Sequence, residues 1–178
     1  MDKDFWKNGR YKNKWKDSTE RENALRDYLM YRTKRNISLV GLGAGTTDYI
    51  SGSARENGHE KGDPDLRVDG TNIYIEVTGP LTDKVGVTKP LWFRPDKINN
   101  AVRHPEHDVF LAHHCMAANL WRVVHVDEEF KRRFRAYEFP VTTPVIDGCR
   151  ERYIEVSAKD GCLRDLEYLI NYIRQSPV

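Results

Sequence analysis

The stretch that most constrains this chain is Gly62 to Pro80, G-D-P-D-L-R-V-D-G-T-N-I-Y-I-E-V-T-G-P. Two alternating runs flank Asp69-Gly70, a pair suited to the φ > 0 positions of a two-residue type I′ turn. That turn predicts a β-hairpin in which Val68 faces Thr71, Leu66 faces Ile73, Asp65 faces Tyr74 and Asp63 faces Glu76. Side chains alternate across a sheet. Leu66, Val68, Ile73, Ile75 and Val77 therefore share an apolar face, broken only by Thr71 near the turn. Asp63, Asp65, Arg67, Tyr74, Glu76 and Thr78 share the other. In this register Asp65 and Glu76 are diagonal neighbours, roughly 7–8 Å apart at the backbone. Carboxylates converging over that distance offer oxygen ligands to a divalent cation of the Mg²⁺ kind. Solvated strand acids are the plainer alternative.

Pro64-Asp65 followed by Ile75-Glu76-Val77-Thr78 resembles the motif of the PD-(D/E)XK nuclease superfamily, the restriction-endonuclease-like fold. Thr78 stands where that family usually carries lysine. The likeness spans about residues 19–126. It implies an α/β (α+β) fold of three layers, with a mixed central β-sheet flanked by helices. It also implies a metal-dependent endonuclease that hydrolyses phosphodiester bonds in DNA. Asp65, Glu76 and the Val77 carbonyl would hold Mg²⁺, or Mn²⁺ in its place, and Glu22 would join through water. Thr78 and a lysine from elsewhere would complete the catalytic set. Lys97 is the first choice for that lysine and Lys89 the second. A catalytically inactive nucleic-acid-binding module on the same fold is the alternative. One such site cuts one strand, so a double-strand cut implies a homodimer or a partner subunit.

The rest of the chain is compatible with that frame. Its 178 residues suit one domain with a core of its own. No apolar run approaches a membrane span, and the N-terminus leads into no signal-peptide core. Three widely spaced cysteines, Cys115, Cys149 and Cys162, fit reduced thiols of a cytoplasmic protein better than a disulfide framework. Residues 1–35 hold 11 Lys/Arg against 6 Asp/Glu. This basic front end hints at a polyanionic partner. Within it, residues 1–17 read as a basic, aromatic arm ahead of a single domain over 18–178. Lys12, Lys14, Trp15 and Lys16 have the chemistry to neutralise phosphates and stack on bases. With Lys89 they form the candidate nucleic-acid surface. Docking of the arm's aromatics on the domain is the other reading.

Asp17-Ser18-Thr19 with Glu22 reads as a capping box that starts a helix. Its stripe is Ala24, Leu25, Tyr28 and Leu29, with Glu22 on the same side. Ile37 to Leu42 reads as a strand. Gly41 to Thr47 imitates a phosphate loop but lacks the Walker lysine and the G-x-G-x-x-G spacing. Residues 51–61 and 83–89 read as loops. Pro95 opens a helix with Ile98, Ala101 and Val102 inward and Lys97 at the border, and His104-Pro105 ends it. Strands follow at Asp108 to Ala112 and Leu120 to Val126. In His113-His114-Cys115 adjacent side chains point to opposite faces, which makes a poor chelate. Asp127 caps a helix carrying the basic run Lys131 to Arg135. A late strand at Tyr153 to Ser157 precedes a turn at Asp160-Gly161. A last helix then aligns Leu163, Leu166, Leu169, Ile170 and Ile173.

Overall fold

The computed structural model describes residues 12–41, 62–146 and 148–178, with side chains from Asp17 onward. The sequence-predicted loop at 51–61 and most of the glycine-rich run at 41–47 lie outside the described residues. The chain begins with helix α1 (Lys12–Thr33) and strands β1 (Ile37–Leu39), β2 (Leu66–Val68), β3 (Ile73–Thr78) and β4 (Leu91–Phe93). Helix α2 (Pro95–Arg103) leads to β5 (Asp108–Cys115), a 3₁₀ turn (Met116–Ala118) and β6 (Leu120–His125). Helix α3 (Glu128–Arg135) precedes β7 (Val141–Thr142), β8 (Val145–Ile146), β9 (Cys149–Arg150) and β10 (Tyr153–Val156). Strand β11 (Leu163–Asp165) and helix α4 (Leu166–Gln175) close the chain.

The main sheet has the order β1-β2-β3-β5-β6-β11. Its pairs are antiparallel except β3 with β5, which run parallel through the α2 crossover. The expected mixed, three-layer α+β architecture is the one observed. Strand alternation builds both outer layers at once. Leu66, Val68, Ile73, Ile75, Val77, Phe110 and Ala112 pack against Leu25 and Leu29 of α1 and Leu169, Ile170 and Ile173 of α4. Val109, Leu111 and Val124 point the other way, onto Ile98 and Ala101 of α2 and Phe130 of α3. Burying each such side chain contributes about 1.5–3 kcal/mol.

Several local expectations are corrected. Leu66 pairs with Ile75 and Arg67 with Tyr74, two residues off the predicted register. The loop is Asp69 to Asn72, not Asp69-Gly70 alone. Gly70 has φ +74, whereas Asp69 does not have a positive φ. Asp69 is held on the β1 side, where its N–H donates to Asn36 O (2.9 Å) and its Oδ1 accepts from the Ser38 hydroxyl (2.8 Å). Thr71 N–H closes the turn onto Val68 O at 3.2 Å. A slip of two preserves which face each side chain takes, because the alternation has period two.

Helix α1 runs unbroken through Thr19, so Thr19 and Glu22 do not start it. On its stripe Leu25 and Leu29 are buried, but Ala24 and Tyr28 are exposed. Leu163 lies in β11, ahead of α4, where Asp165 Oδ1 caps the helix by accepting from Tyr168 N–H at 2.9 Å. The sequence reading also missed β4, which pairs with β10 in a small sheet over the α2–α3 face. Within the basic run of α3, Lys131 is 4% exposed and its ammonium pairs with Glu128 at 3.2 Å.

Candidate active site

The acidic face of the β2–β3 hairpin is covered by α2, and that packing makes the site. The ladder ends at the Leu66–Ile75 pair, where Asp65 N–H also donates to Ile75 O at 3.1 Å, and the Asp65 and Glu76 side chains meet. Both residues are buried, at 5% and 8% exposure. Asp65 Oδ2 accepts from Val77 N–H at 2.8 Å. In extended backbone the N–H and C=O of one residue point to the same strand edge. The Val77 carbonyl is thereby directed to the Asp65 side as well.

Two close approaches bring the chain into place. Val40 N–H donates to Asp65 O at 2.9 Å, and a Cβ on Gly41 would lie 2.3 Å from Pro64 O. Gly62 has φ +88, and a Cβ there would lie 2.3 Å from Asp96 O in the first turn of α2. Glycine at these two positions lets β2 enter beside both β1 and α2.

Helix α2 starts with Pro at its first turn and Arg94 as N-cap, as the sequence predicts. Ile98 and Ala101 anchor it in the core. Lys97, one residue before Ile98, is thereby turned toward the acids. Its ammonium is 2.8 Å from Glu76 Oε2 and donates to Asp63 O at 2.8 Å. Asn100 Nδ2 donates to Asp63 Oδ1 at 3.0 Å. Two side chains of one helix therefore grip the residue two before Asp65.

The charges do not balance. Two carboxylates, Asp65 and Glu76, face one ammonium. Burial pushes the Glu76 carboxyl well above the usual carboxylate range, the Asp65 charge adds to this, and Lys97 opposes it. Burial alone would lower Lys97, but Glu76 and Asp65 overcome that and raise it. Lys97 thus stays charged, and Glu76 is the group that takes up a proton when nothing else neutralises the site. Arg94, half-exposed beside them, grips Asp96 through Nη2 at 2.8 Å and Nε at 3.1 Å. Burial would lower its pKa, and Asp96 and Glu76 raise it.

The residues fit a hard divalent cation. The donors are carboxylate oxygens with a carbonyl beside them, the set Mg²⁺ takes. Lys97 meets Glu76 Oε2 without an aligned hydrogen bond, and that buried oxygen has no hydrogen-bond partner among the described residues. A cation there would satisfy the oxygen and replace the proton that burial favours.

The other predicted residues are placed as follows. Thr78 ends β3 on the Glu76 face, half-buried and paired with His113 of β5. Glu22 is buried on α1, the helix on the opposite face of the sheet. Its neighbour Arg21 donates to Gly79 O (2.6 Å) and Pro80 O (2.5 Å), so that turn of α1 lies at the end of β3. The strongest influences of other residues on Glu76 are Asp65 and Lys97, not Glu22. Lys89 is exposed in the β3–β4 connection, and it is Lys97 that pairs with Glu76. Lys12, Lys14, Trp15 and Lys16 lie in the first turns of α1, and their side chains are outside the described residues.

Sequence reasoning gave Arg94 and Asn100 no role at the site and weighed His113 only as part of a poor chelate. Arg94 immediately precedes the Pro95 helix start, which was the available signal. His113 is 5% exposed, and burial, with Arg122 and Arg21 nearby, lowers its pKa to about 3.

No family model matches this chain, and neither does any curated protein. A solved structure described as "Structure of D212, a nuclease from a fusselovirus" aligns with 88% of this chain and 91% of that one. The two share 15% identity at a TM-score of 0.49, a likeness too weak to carry a functional argument.

Proposed function

We propose that the protein is an Mg²⁺-dependent endonuclease that hydrolyses phosphodiester bonds in DNA, with Mn²⁺ able to replace Mg²⁺. The observation that carries this reading is the buried Asp65–Glu76 pair answered by the single ammonium of Lys97. A bound divalent cation supplies Lewis-acid charge at the scissile phosphate. Asp65 and Glu76 would hold it, with the Val77 carbonyl at the same edge. Val77 N–H fixes the Asp65 carboxylate. Glu76 would serve as a ligand in its carboxylate form.

Lys97 takes the role that Thr78 leaves open. An ammonium has three donors. One goes to Asp63 O, and none is aligned on Glu76 Oε2, 2.8 Å away. The others are left to orient the attacking water or to meet a phosphate oxygen. Thr78 offers its hydroxyl on the same face. Glu22 joins through an intervening water. Lys12, Lys14, Trp15, Lys16 and Lys89 contribute to DNA affinity away from the reacting atoms. Double-strand cleavage requires a second site, from a homodimer or a partner subunit.

Thr78 at the family's lysine position favours one other reading, an inactive nucleic-acid-binding module. The purified protein, incubated with labelled duplex, single-stranded and branched DNA and with RNA, in Mg²⁺, Mn²⁺ or EDTA, separates the two. Cation-dependent cleavage that disappears in Glu76→Ala and Asp65→Ala is the expected result. Tight binding without cleavage of any substrate would leave the binding module standing.

A further inference from the structure

A second group of ligating side chains lies at the far end of α2, between that helix and β5. Arg103 is the last helical residue, His104 is the C-cap, and Pro105 prevents the helix from continuing. His107 N–H donates to His104 O at 2.9 Å, closing a tight turn, and Asp108 then begins β5. Asn72 Nδ2 ties the turn to the β2–β3 loop through Glu106 O at 2.9 Å. The turn directs His104, Glu106 and His107 to one point. His104 Nδ1 lies 3.1 Å and His107 Nε2 3.6 Å from Glu106 Oε1, and the ligand atoms all lie within 4.8 Å of one another.

A hydrogen bond to Glu106 accounts for His104 alone. The His107 Nε2 is beyond hydrogen-bond reach of the same oxygen, at 3.6 Å. Its ring is fixed by stacking between Tyr74 (centroids 4.2 Å apart) and His104 (4.9 Å). Its Nδ1 is buried with no hydrogen-bond partner among the described residues, so no hydrogen bond sets its orientation. Ligands about 2.0–2.1 Å from a tetrahedral metal stand about 3.4 Å apart. The 3.1 and 3.6 Å separations bracket that value. Two imidazoles and one carboxylate suit Zn²⁺, Co²⁺ or Ni²⁺ rather than Mg²⁺.

We propose that His104, Glu106 and His107 bind one transition-metal ion of the Zn²⁺ class, at a site distinct from the Asp65–Glu76 carboxylates. The ion joins the C-terminus of α2 to the start of β5. It thereby fixes the helix whose Lys97 and Asn100 hold Asp63.

The test is zinc titration of the untagged protein by calorimetry, and cobalt loading followed by visible absorption. One equivalent is expected, with a tetrahedral cobalt spectrum. His104→Gln, His107→Gln and Glu106→Gln should each weaken binding at least about tenfold. Glu76→Gln should leave it unchanged. Glu106 is 64% exposed on its side chain, so its variant reports on binding without disturbing the fold. A wild-type protein that binds no more zinc than the His104→Gln/His107→Gln double variant would overturn the assignment. Zinc binding lost in Glu76→Gln, or displaced by low-millimolar Mg²⁺, would overturn it too, by placing the ion at the carboxylate pair.

Discussion

Replacing Lys97 with methionine keeps the aliphatic stem of the side chain and removes its charge. The Lys97 side chain is 16% exposed, and Glu76, 2.8 Å away, is 10% exposed. Breaking a buried pair by deleting one partner typically costs about 3–5 kcal/mol, because the other charge is left uncompensated. Here the cost depends on pH, since a carboxyl can escape it by taking a proton. Near pH 4 Glu76 is already protonated, because burial and Asp65 raise its pKa. The Lys97→Met penalty should then be close to zero. Wild-type Glu76 holds its proton too until its own raised pKa is passed. Above that pH only the variant keeps the extra proton, at a cost of about 1.4 kcal/mol per pH unit, up to the about 3–5 kcal/mol of an unpaired buried charge. Urea denaturation in EDTA from pH 4 to pH 8 measures the difference. At pH 8 the midpoint should fall by up to about 1.5 M, for a slope of about 2–3 kcal/mol/M. A double-mutant cycle with Glu76→Gln should show coupling above about 1 kcal/mol at pH 8 and little at pH 4. A penalty that is flat across this range, or an additive cycle at pH 8, would refute the charge argument.

Two further predictions use the same physics. Wild-type Glu76 binds its proton more tightly when folded, so cation-free stability should fall as pH rises above the ordinary carboxylate range through the raised Glu76 pKa. Glu76→Gln should remove that fall and stabilise the cation-free protein at pH 8 by about 1–2 kcal/mol. It should also abolish the Mg²⁺-induced rise in Tm, which thermal denaturation with and without Mg²⁺ measures. His113 has the opposite sign. Its folded pKa of about 3 lies below the ordinary 6.5, so its stabilising contribution is complete above pH 6.5 and is lost as pH falls toward 3. The loss is of the order of 5 kcal/mol over that window. His113→Gln should reduce the stability difference between pH 7 and pH 4, and an unchanged difference would count against a neutral buried imidazole.

The apolar patterns were legible because they are local. Period-two alternation in Leu66–Val77 fixed which side chains face α1 and α4, and the slipped register left that assignment intact. Pro95 and the Ile98–Ala101 stripe gave α2 almost to the residue. The Asp127 cap and the Leu169–Ile173 stripe similarly located α3 and α4. Less was legible where a local signal competed with a partner distant in sequence. Asp69-Gly70 is a good two-residue turn in isolation, but Asn36 and Ser38 of the β1 region hold Asp69 and lengthen the loop. Thr19 and Glu22 have the spacing of a cap, yet α1 continues through them. Strand β4 is three residues long and takes its partner from β10, about sixty residues on, so no local pattern marks it.

The sequence by itself placed two carboxylates and a set of apolar side chains on opposite faces of one hairpin. It also put an inward-bordering lysine on the helix that follows. Tertiary structure decided that the Asp65 side chain meets Glu76, that Lys97 reaches Glu76, and that Glu22 sits on the helix across the sheet. The physical reason is that side-chain parity follows from backbone geometry within a strand. The charge state of a buried carboxyl follows from what packs over it, and for Glu76 that is a helix roughly twenty residues farther along the chain.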